Sequence, residues 1–465
     1  MAGCFFIKIK NTDTIHKISK TNKSTNARTI AETGLETCCE AEFGLTHGPV
    51  SAPWSVCFIC ICFFSEFLVL FGMVFPVLSA IEFFVILIDS ITKGSVEMKR
   101  NREKNFTKLL CGSLLAAVIC FCAGCGRTVK YTSANTAMGT FVYQTVYTSG
   151  EDVTADVTGL INGLEQDTLS WRIAESEIAR INARTGSGEG FVLSDNLRAD
   201  LEVLREVSER SNGAFDITMH PVVELWNIDA WAAGQGVVPM QQTVAGAGEI
   251  QDNQPSDGAT SIILPDQNQI TQALSHTGYE EITIENNTLY LPAEMSLDLG
   301  AAGKGIACDE IAEFLKESKV SGAVISVGGS VLTYGRKPDG MPWQVAIVNP
   351  LDTATQLGTL SLTGEWFVST SGDYERYVEV DGIRYHHILD PATGYPATSG
   401  VRSVTIVCDS GILSDALSTA CFVLGVEDGM ELAESYGVRA LFVDEAGRIF
   451  MTESMRGIFE EAGEQ

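Results

Sequence analysis

The chain has 465 residues, with 31 Lys+Arg against 59 Asp+Glu and a formal net charge of −28. Residues 1–125 hold 12 of the basic and 10 of the acidic residues, so the rest carries 19 against 49, a net of −30. Such a body repels phosphate backbones, which argues against nucleic-acid binding. Any anionic ligand must be met locally by a metal, a helix N-terminus or a few placed cations.

Length allows two or three domains and a sizeable core. Ten of the 13 cysteines lie in residues 1–125. The body keeps only Cys308, Cys408 and Cys421, too few for a disulfide framework. The Cys57-x-x-Cys60 spacing sits in an apolar run, where a zinc knuckle is not expected.

Two apolar runs precede the body. Residues 56–88 are long enough to span a bilayer but carry Glu66, Pro76 and Glu82. Residues 98–125 read as a signal peptide: Lys99, Arg100, Arg102, Lys104 and Lys108 form the basic region, 109–122 the apolar region, and Ala123-Gly124 precede Cys125. Small residues before a cysteine resemble a bacterial lipobox, with Cys125 as the lipid-bearing first residue. The localisation expected is the extracytoplasmic face of the cell membrane. A signal belongs at an N-terminus, so residues 1–97 are read as upstream sequence from a wrongly chosen start, with an extra transmembrane segment as the alternative.

Residues 126–136 read as a polar tether and 137–460 as one domain. Ala137-Met138-Gly139-Thr140 opens an alternating strand over 141–147, followed by a helix over about 152–169. Ser194 caps the clearest helix, whose stripe is Leu197, Leu201, Leu204 and Val207, and Asn212-Gly213 ends it. The chain then reverses through 213–218 into a short strand. Residues 233–272, rich in Gly, Gln, Ala and Asp, read as a long loop or lid-like insertion. A hairpin turns at Asn286-Asn287, and 297–305 leads into a helix ending near 318. A buried strand over 323–327 breaks at Gly328-Gly329, and two further strands end near 349 and 363. Residues 377–388 alternate around Asp381-Gly382 as a hairpin. A strand over 401–408, helices over 414–424 and 429–436, and a hairpin turning at 445–447 complete the chain. Hairpins with helices between them define an α+β class with mixed or antiparallel sheets and packed helices.

The densest chemistry lies in residues 368–396, VSTSGDYERYVEVDGIRYHHILDPATGYP. Alternation puts Arg384, His386 and Ile388 on one face and Tyr385, His387 and Leu389 on the other, so only one histidine can face a given pocket. Asp390-Pro391 ends the strand and Gly394 closes a tight turn. His387 is a candidate general base. Asp415 and Thr419, four apart on one helical face, are hard oxygen ligands suited to Mg²⁺. A plainer reading has Ser414 capping that helix and Asp415 favouring its dipole. The glycine-rich turn from Asp298 to Gly305 could offer N–H groups to phosphate, but it lacks P-loop spacing. Trp171, Phe215 and Tyr374 could stack on a flat ring or belong to the core. Hydrolase-elbow and zincin motifs are absent.

Eight segments in order resemble the ApbE family of FAD:protein FMN transferases, which includes periplasmic lipoproteins: AMGT, SEIARIN, GAFDIT, SLDLGAAGKG, VISVGGS, STSGDYERY, YHHILDPATGYP and SDALSTA. The resemblance spans about 137–450. It implies FAD as substrate and Mg²⁺-dependent transfer of FMN to a threonine or serine hydroxyl of a target protein, releasing AMP. Met138, Trp171, Ala214, Phe215, Asp216, Asp298, Lys304 and Ile388 would contact FAD. Asp415, Thr419 and the carbonyl of Ala301 would hold the metal, and His387 would activate the acceptor hydroxyl. Members often have tyrosine at the Trp171 position, and the residue at Lys304 varies. The implied partner is an acceptor flavoprotein, such as a membrane redox-complex subunit or an exported FMN-binding domain. Two rivals stay open: an FAD pyrophosphatase with water as acceptor, and a non-catalytic flavin-binding lipoprotein.

Overall fold

The computed structural model describes residues 128–230 and 264–463. They belong to one compact unit, residues 119–465. The apolar run at 56–88, the signal segment ending at Cys125 and residues 231–263 of the insertion lie outside the described residues. Among the described residues no helix is long and apolar enough to cross a membrane.

The centre is an eight-stranded sheet in the order β1-β2-β6-β7-β10-β13-β14-β15. Its strands are β1 (Val129–Ala137), β2 (Thr140–Thr148), β6 (Val320–Val327), β7 (Ser330–Gly335), β10 (Trp366–Gly372), β13 (Val401–Cys408), β14 (Arg439–Asp444) and β15 (Ile449–Met451). Successive side chains point to opposite faces. Val404 and Ile406 of β13 therefore pack with one core cluster and Val407 with another. Val407 joins Trp343, Val345 and Leu360 of a small sheet built from β8 (Trp343–Val348), β9 (Gln356–Leu362) and β16 (Phe459–Glu461). Because both faces are covered, every residue of β13 (VRSVTIVC) except Arg402 is buried, the polar Ser403 and Thr405 included.

The helices are α1 (Thr154–Leu164), α2 (Glu177–Asn182), α3 (Asp195–Arg210), α4 (His220–Trp226), α5 (Gln267–Leu274), α6 (Gly303–Glu317), α7 (Gly411–Ser435) and α8 (Glu453–Arg456). Of these, α1, α6 and α7 cover the opposite face of the sheet, α3 packs on α7, and α4 and α5 pair around Leu389. α8 sits near the end of the chain, where Met455 joins the small-sheet core instead. The α3 expectation holds closely. Ser194 Oγ accepts from Leu197 N, and Leu197, Leu201, Leu204 and Val207 are all buried. Asn212 and Gly213 follow with φ of 57° and 81°, the left-handed geometry that ends a helix. Glu177 at the start of α2 accepts from both the N–H and the hydroxyl of Ser194, at 2.7 Å each, joining the two helix starts.

Several expectations are corrected. The stretch read as a tether is mostly β1, paired along its length with β2. Met138-Gly139 is the hairpin turn between them, with φ of 49° and 64°, rather than the opening of a strand. Residues 213–218 form turns held by Asp216, and only Met219 makes an isolated bridge, to Ser296. Residues 267–274, the end of the presumed loop, are the helix α5 with a capping box at Asp266. Strand β7, hidden behind Gly328-Gly329, links β6 to β10. The α+β class itself holds: every ladder among the described residues is antiparallel, one of the two sheet types expected.

The start of α7 is also corrected. Its cap is Ser410, whose hydroxyl accepts from Leu413 N, while Asp309 of α6 accepts from the N–H groups of Gly411 and Ile412 at 2.7 Å each. Ser414 thus lies inside the helix, and Asp415 is buried in its second turn, beyond the exposed N-terminal N–H groups. That placement excludes the role expected for Asp415 at the dipole of its own helix. The two helices expected over 414–424 and 429–436 are both present within α7, meeting at Gly425, whose backbone is non-helical with φ 85°.

Candidate active site

A cleft of about 260 Å³ opens where turns from several elements converge over the end of β10 and the first turns of α6 and α7. Its wall contains all twelve residues singled out from the sequence: Met138, Trp171, Ala214, Phe215, Asp216, Asp298, Ala301, Lys304, His387, Ile388, Asp415 and Thr419. They come from positions up to 281 residues apart in the chain, from 138 to 419.

Asp415 is fixed by its surroundings. Its Oδ2 accepts from Gly305 N at 3.0 Å and its Oδ1 from Ser330 Oγ at 3.2 Å. Lys304 Nζ lies 3.4 Å from Oδ1. The Gly305 contact exists because α6 and α7 cross backbone to backbone: a Cβ on Gly305 would overlap the carbonyl of Gly411, and one on Gly411 would overlap that of Gly305. Gly411→Ala should therefore destabilise the fold by about 1–3 kcal/mol, the usual cost of overpacking. Gly159→Ala, facing open space on α1, should be neutral or stabilising by up to about 1 kcal/mol. Thermal melting of the two variants checks the contrast; equal midpoints would refute it.

One turn along the same face from Asp415, Thr419 shares a hydroxyl contact of 3.2 Å with Ser371. Among the described residues no cluster of three or more His, Cys, Asp or Glu could hold a metal. The donors expected from the resemblance are one carboxylate, one hydroxyl and the Ala301 carbonyl, all on the cleft wall. That set suits a hard cation completed by water and substrate phosphate, and it does not suit zinc.

The glycine-rich turn behaves differently from the expectation. The N–H groups of Gly300, Ala302, Gly303 and Gly305 donate within the protein, to Asp298 Oδ1, Leu299 O, Leu299 O and Asp415 Oδ2. Those four are not a phosphate cradle; the turn instead contributes the Lys304 side chain to the cleft. Burial pushes the Asp298 carboxyl up, opposed by the Gly300 N–H and His220. Burial likewise raises Glu375, against the pull of Lys304 and Arg376.

The two histidines have separate fates. The hairpin of β11 (Tyr377–Val380) and β12 (Ile383–His386) ends at His386. His386 Nε2 meets the Ala397 carbonyl at 3.0 Å, and its Nδ1 accepts from Ile388 N at 3.3 Å. Both ring nitrogens are thus occupied inside the fold. His387 Nδ1 lies 3.2 Å from the Arg376 carbonyl. A carbonyl only accepts, so Nδ1 carries the hydrogen and Nε2 holds the lone pair. Burial, with the Arg376 charge, holds His387 down at about 3. The strict alternation expected through Leu389 stops at His386, and His387, Ile388 and Leu389 all line the cleft.

The Asp-Pro-x-Thr-Gly motif is structural. Asp390 accepts from Ala392 N and from Thr393 Oγ1, and Trp226 Nε1 donates to the Gly394 carbonyl at 2.7 Å. Asp216 is similar: its Oδ1 accepts from the N–H and hydroxyl of Thr218 and its Oδ2 from Tyr279 N. It shapes the turn that presents Ala214 and Phe215. Met138, at positive φ, donates its N–H to Glu165 at 2.9 Å, which places a strained residue on the wall.

Sequence reading missed Arg376, Glu375, Arg172 and Asp229. Arg376 and Glu375 were within a quoted motif, so the signal existed. Asp229 and Arg172 carried none, because their link is purely spatial: Asp229 accepts from Arg376 at 3.0 and 3.1 Å and from Arg172 at 3.2 Å. Lys304, Arg376 and Arg172 supply the local positive charge that the acidic body otherwise lacks.

A half-buried histidine, a carboxylate, a hydroxyl, cations and aromatic rings share one cleft, a set able in chemistry to activate a hydroxyl against a phosphate anhydride. The ApbE family model matches residues 138–442. A curated FAD:protein FMN transferase of Treponema pallidum is 31% identical over 354 residues, covering 71% of this chain and 90% of its own length. One from Vibrio cholerae is 28% identical over 329 residues, covering 69% and 90%. The solved flavin transferase ApbE from Vibrio cholerae superposes with a TM-score of 0.59 at 26% identity, covering 71% of this chain and 99% of its own. The apo flavinyl transferase ApbE of Pseudomonas stutzeri gives 0.58 at 29%, covering 72% and 98%. The chain belongs to the ApbE family, and it is an enzyme of the transferase class.

Proposed function

We propose that this enzyme transfers FMN from FAD to a threonine or serine hydroxyl of a target protein, with Mg²⁺, and releases AMP. The observation that carries the reading is the pairing of a neutral His387, its Nδ1–H fixed by Arg376, with Asp415 and Thr419 in one cleft.

The acceptor hydroxyl gives its proton to His387 Nε2 as its oxygen bonds to the FMN-side phosphorus. The bond from that phosphorus to the bridging oxygen breaks, and AMP leaves with that oxygen. Asp415, Thr419 and the Ala301 carbonyl would hold Mg²⁺, which supplies charge neutralisation for the phosphate oxygens. Lys304 and Arg376 add fixed positive charge, while Trp171 and Phe215 offer ring surfaces to the flavin or adenine.

Mass spectrometry of an exported FMN-binding domain co-expressed with the enzyme tests this. Covalent FMN on the domain is the expected result. Free FMN and AMP would instead indicate FAD hydrolysis, and intact FAD a binding protein.

The acceptor would be an exported FMN-binding domain or a membrane redox-complex subunit, reached from a lipid anchor at Cys125. This follows from the basic, apolar and small-residue order of residues 99–124. Labelling with a fatty-acid analogue should be lost in Cys125→Ser. Persistent labelling, or residues 1–97 retained in the mature protein, would count against the anchor.

A further inference from the structure

We propose that Asp229 is a positioning residue for His387, acting through Arg376; the inference rests on the transferase reading only for the role of His387 as base. Asp229 holds the Arg376 guanidinium through both carboxylate oxygens, at 3.0 and 3.1 Å. The peptide carbonyl of the same Arg376 accepts from His387 N at 3.1 Å and lies 3.2 Å from His387 Nδ1. The last ladder pair of the hairpin is Tyr377 with His386. Beyond it, that carbonyl is what fixes the imidazole. One residue therefore has its side chain clamped by Asp229 and its main chain clamping the base.

Asp229 also accepts from Arg172, whose guanidinium lies 3.9 Å from the Trp171 ring centroid. The clamp thus ties the Trp171 wall of the cleft to the base. Without the carboxylate, Arg376 has Glu375 and Asp298 as its nearest alternative partners. A guanidinium drawn towards them turns its own peptide, and Nδ1–H loses its acceptor. The ring can then adopt the Nε2–H tautomer, which cannot take a proton at Nε2.

Among the charges facing His387, Asp229 alone raises its basicity. Burial lowers it first, Arg376 lowers it further, Asp229 opposes, and His386 and Lys304 lower it again. Removing the Asp229 charge makes His387 a weaker base as well as a looser one.

The test uses the enzyme labelled with ¹⁵N-histidine, with His387→Gln to assign the signal. Long-range ¹H–¹⁵N spectra should show a single neutral Nδ1–H ring for His387 in the wild type and mixed tautomers in Asp229→Ala. With FAD, Mg²⁺ and an exported FMN-binding domain as acceptor, kcat should fall about 10- to 100-fold, the scale of a misplaced catalytic group. KM for FAD should change far less, and Asp229→Glu should restore much of the rate. Asp229→Asn, isosteric and with one acceptor oxygen kept, should show the same direction if the alanine variant does not fold. An unchanged His387 spectrum and kcat in Asp229→Ala, whatever its melting point, would overturn the proposal. So would a loss confined to KM for FAD. Absence of transfer by the wild type would refute the proposed function alone, because the tautomer shift is read without substrate.

Discussion

Asp415→Asn should abolish Mg²⁺-dependent FMN transfer while leaving FAD bound. The substitution is nearly isosteric, and its remaining oxygen can still accept from Gly305 N, 3.0 Å away in the native protein. What disappears is the only carboxylate of the proposed metal set. The Thr419 hydroxyl and the Ala301 carbonyl are neutral, and a neutral oxygen set binds a divalent cation weakly. Loss of the metal removes several kcal/mol of charge stabilisation, so turnover should fall by at least about a thousandfold. Lys304 cannot substitute, since its ammonium, 3.4 Å from Asp415 Oδ1, is a single charge already counted in the native site. Titrating Mg²⁺ against the rate, with FAD binding followed by flavin fluorescence, separates the outcomes. Near-normal turnover of Asp415→Asn at ordinary Mg²⁺ would remove Asp415 from the metal set. Lost FAD binding together with lost turnover would show that the carboxylate acts on the ligand instead.

The helix α3, the hairpins at Asn286-Asn287 and Asp381-Gly382, and strand β13 were legible because local rules govern them. Caps, left-handed turn residues and periodicity act over a few positions. The α7 start was misread because its cap is completed by Asp309, about a hundred residues earlier, and no local rule sees that partner. Strand β1 was mistaken for a tether because an edge strand with one open side is mostly polar, as its sequence VKYTSANTA is. The candidate site was legible as a list, carried by the family resemblance, and all of its members line one cleft. Its support was not legible. Asp229 and Arg376 are 147 residues apart, and the Gly305–Gly411 crossing joins two helices by the absence of side chains. Such contacts are fixed by packing, which a single sequence does not display.

His387→Ala should lose transfer by about 10²–10⁴-fold, the usual contribution of a general base, while still binding FAD. His386→Ala should behave oppositely. Its ring nitrogens meet Ala397 O and Ile388 N, and the ring packs edge-on against Phe422 at 5.5 Å. Its loss should lower stability by about 1–3 kcal/mol through an unpaired buried group and leave the rate per folded enzyme within a few-fold. The pH profile carries further information. Held down at about 3, His387 is neutral and competent throughout the physiological range, so an acidic limb of kcat/KM from this group falls near pH 3. Bound FAD brings phosphate charge near the ring and raises it, so the kcat limb should lie at higher pH than the kcat/KM limb. The stability consequence has a definite sign. The unfolded chain protonates this histidine near its ordinary value of about 6.5, whereas the folded chain does so only near 3. Stability therefore falls as pH drops through that window, and His387→Ala should flatten the fall. Denaturant melts at several pH values, paired with single-turnover transfer rates, measure both effects. A His386→Ala enzyme slower than His387→Ala would overturn the assignment of the base, and with it the placement of the acceptor hydroxyl beside Nε2.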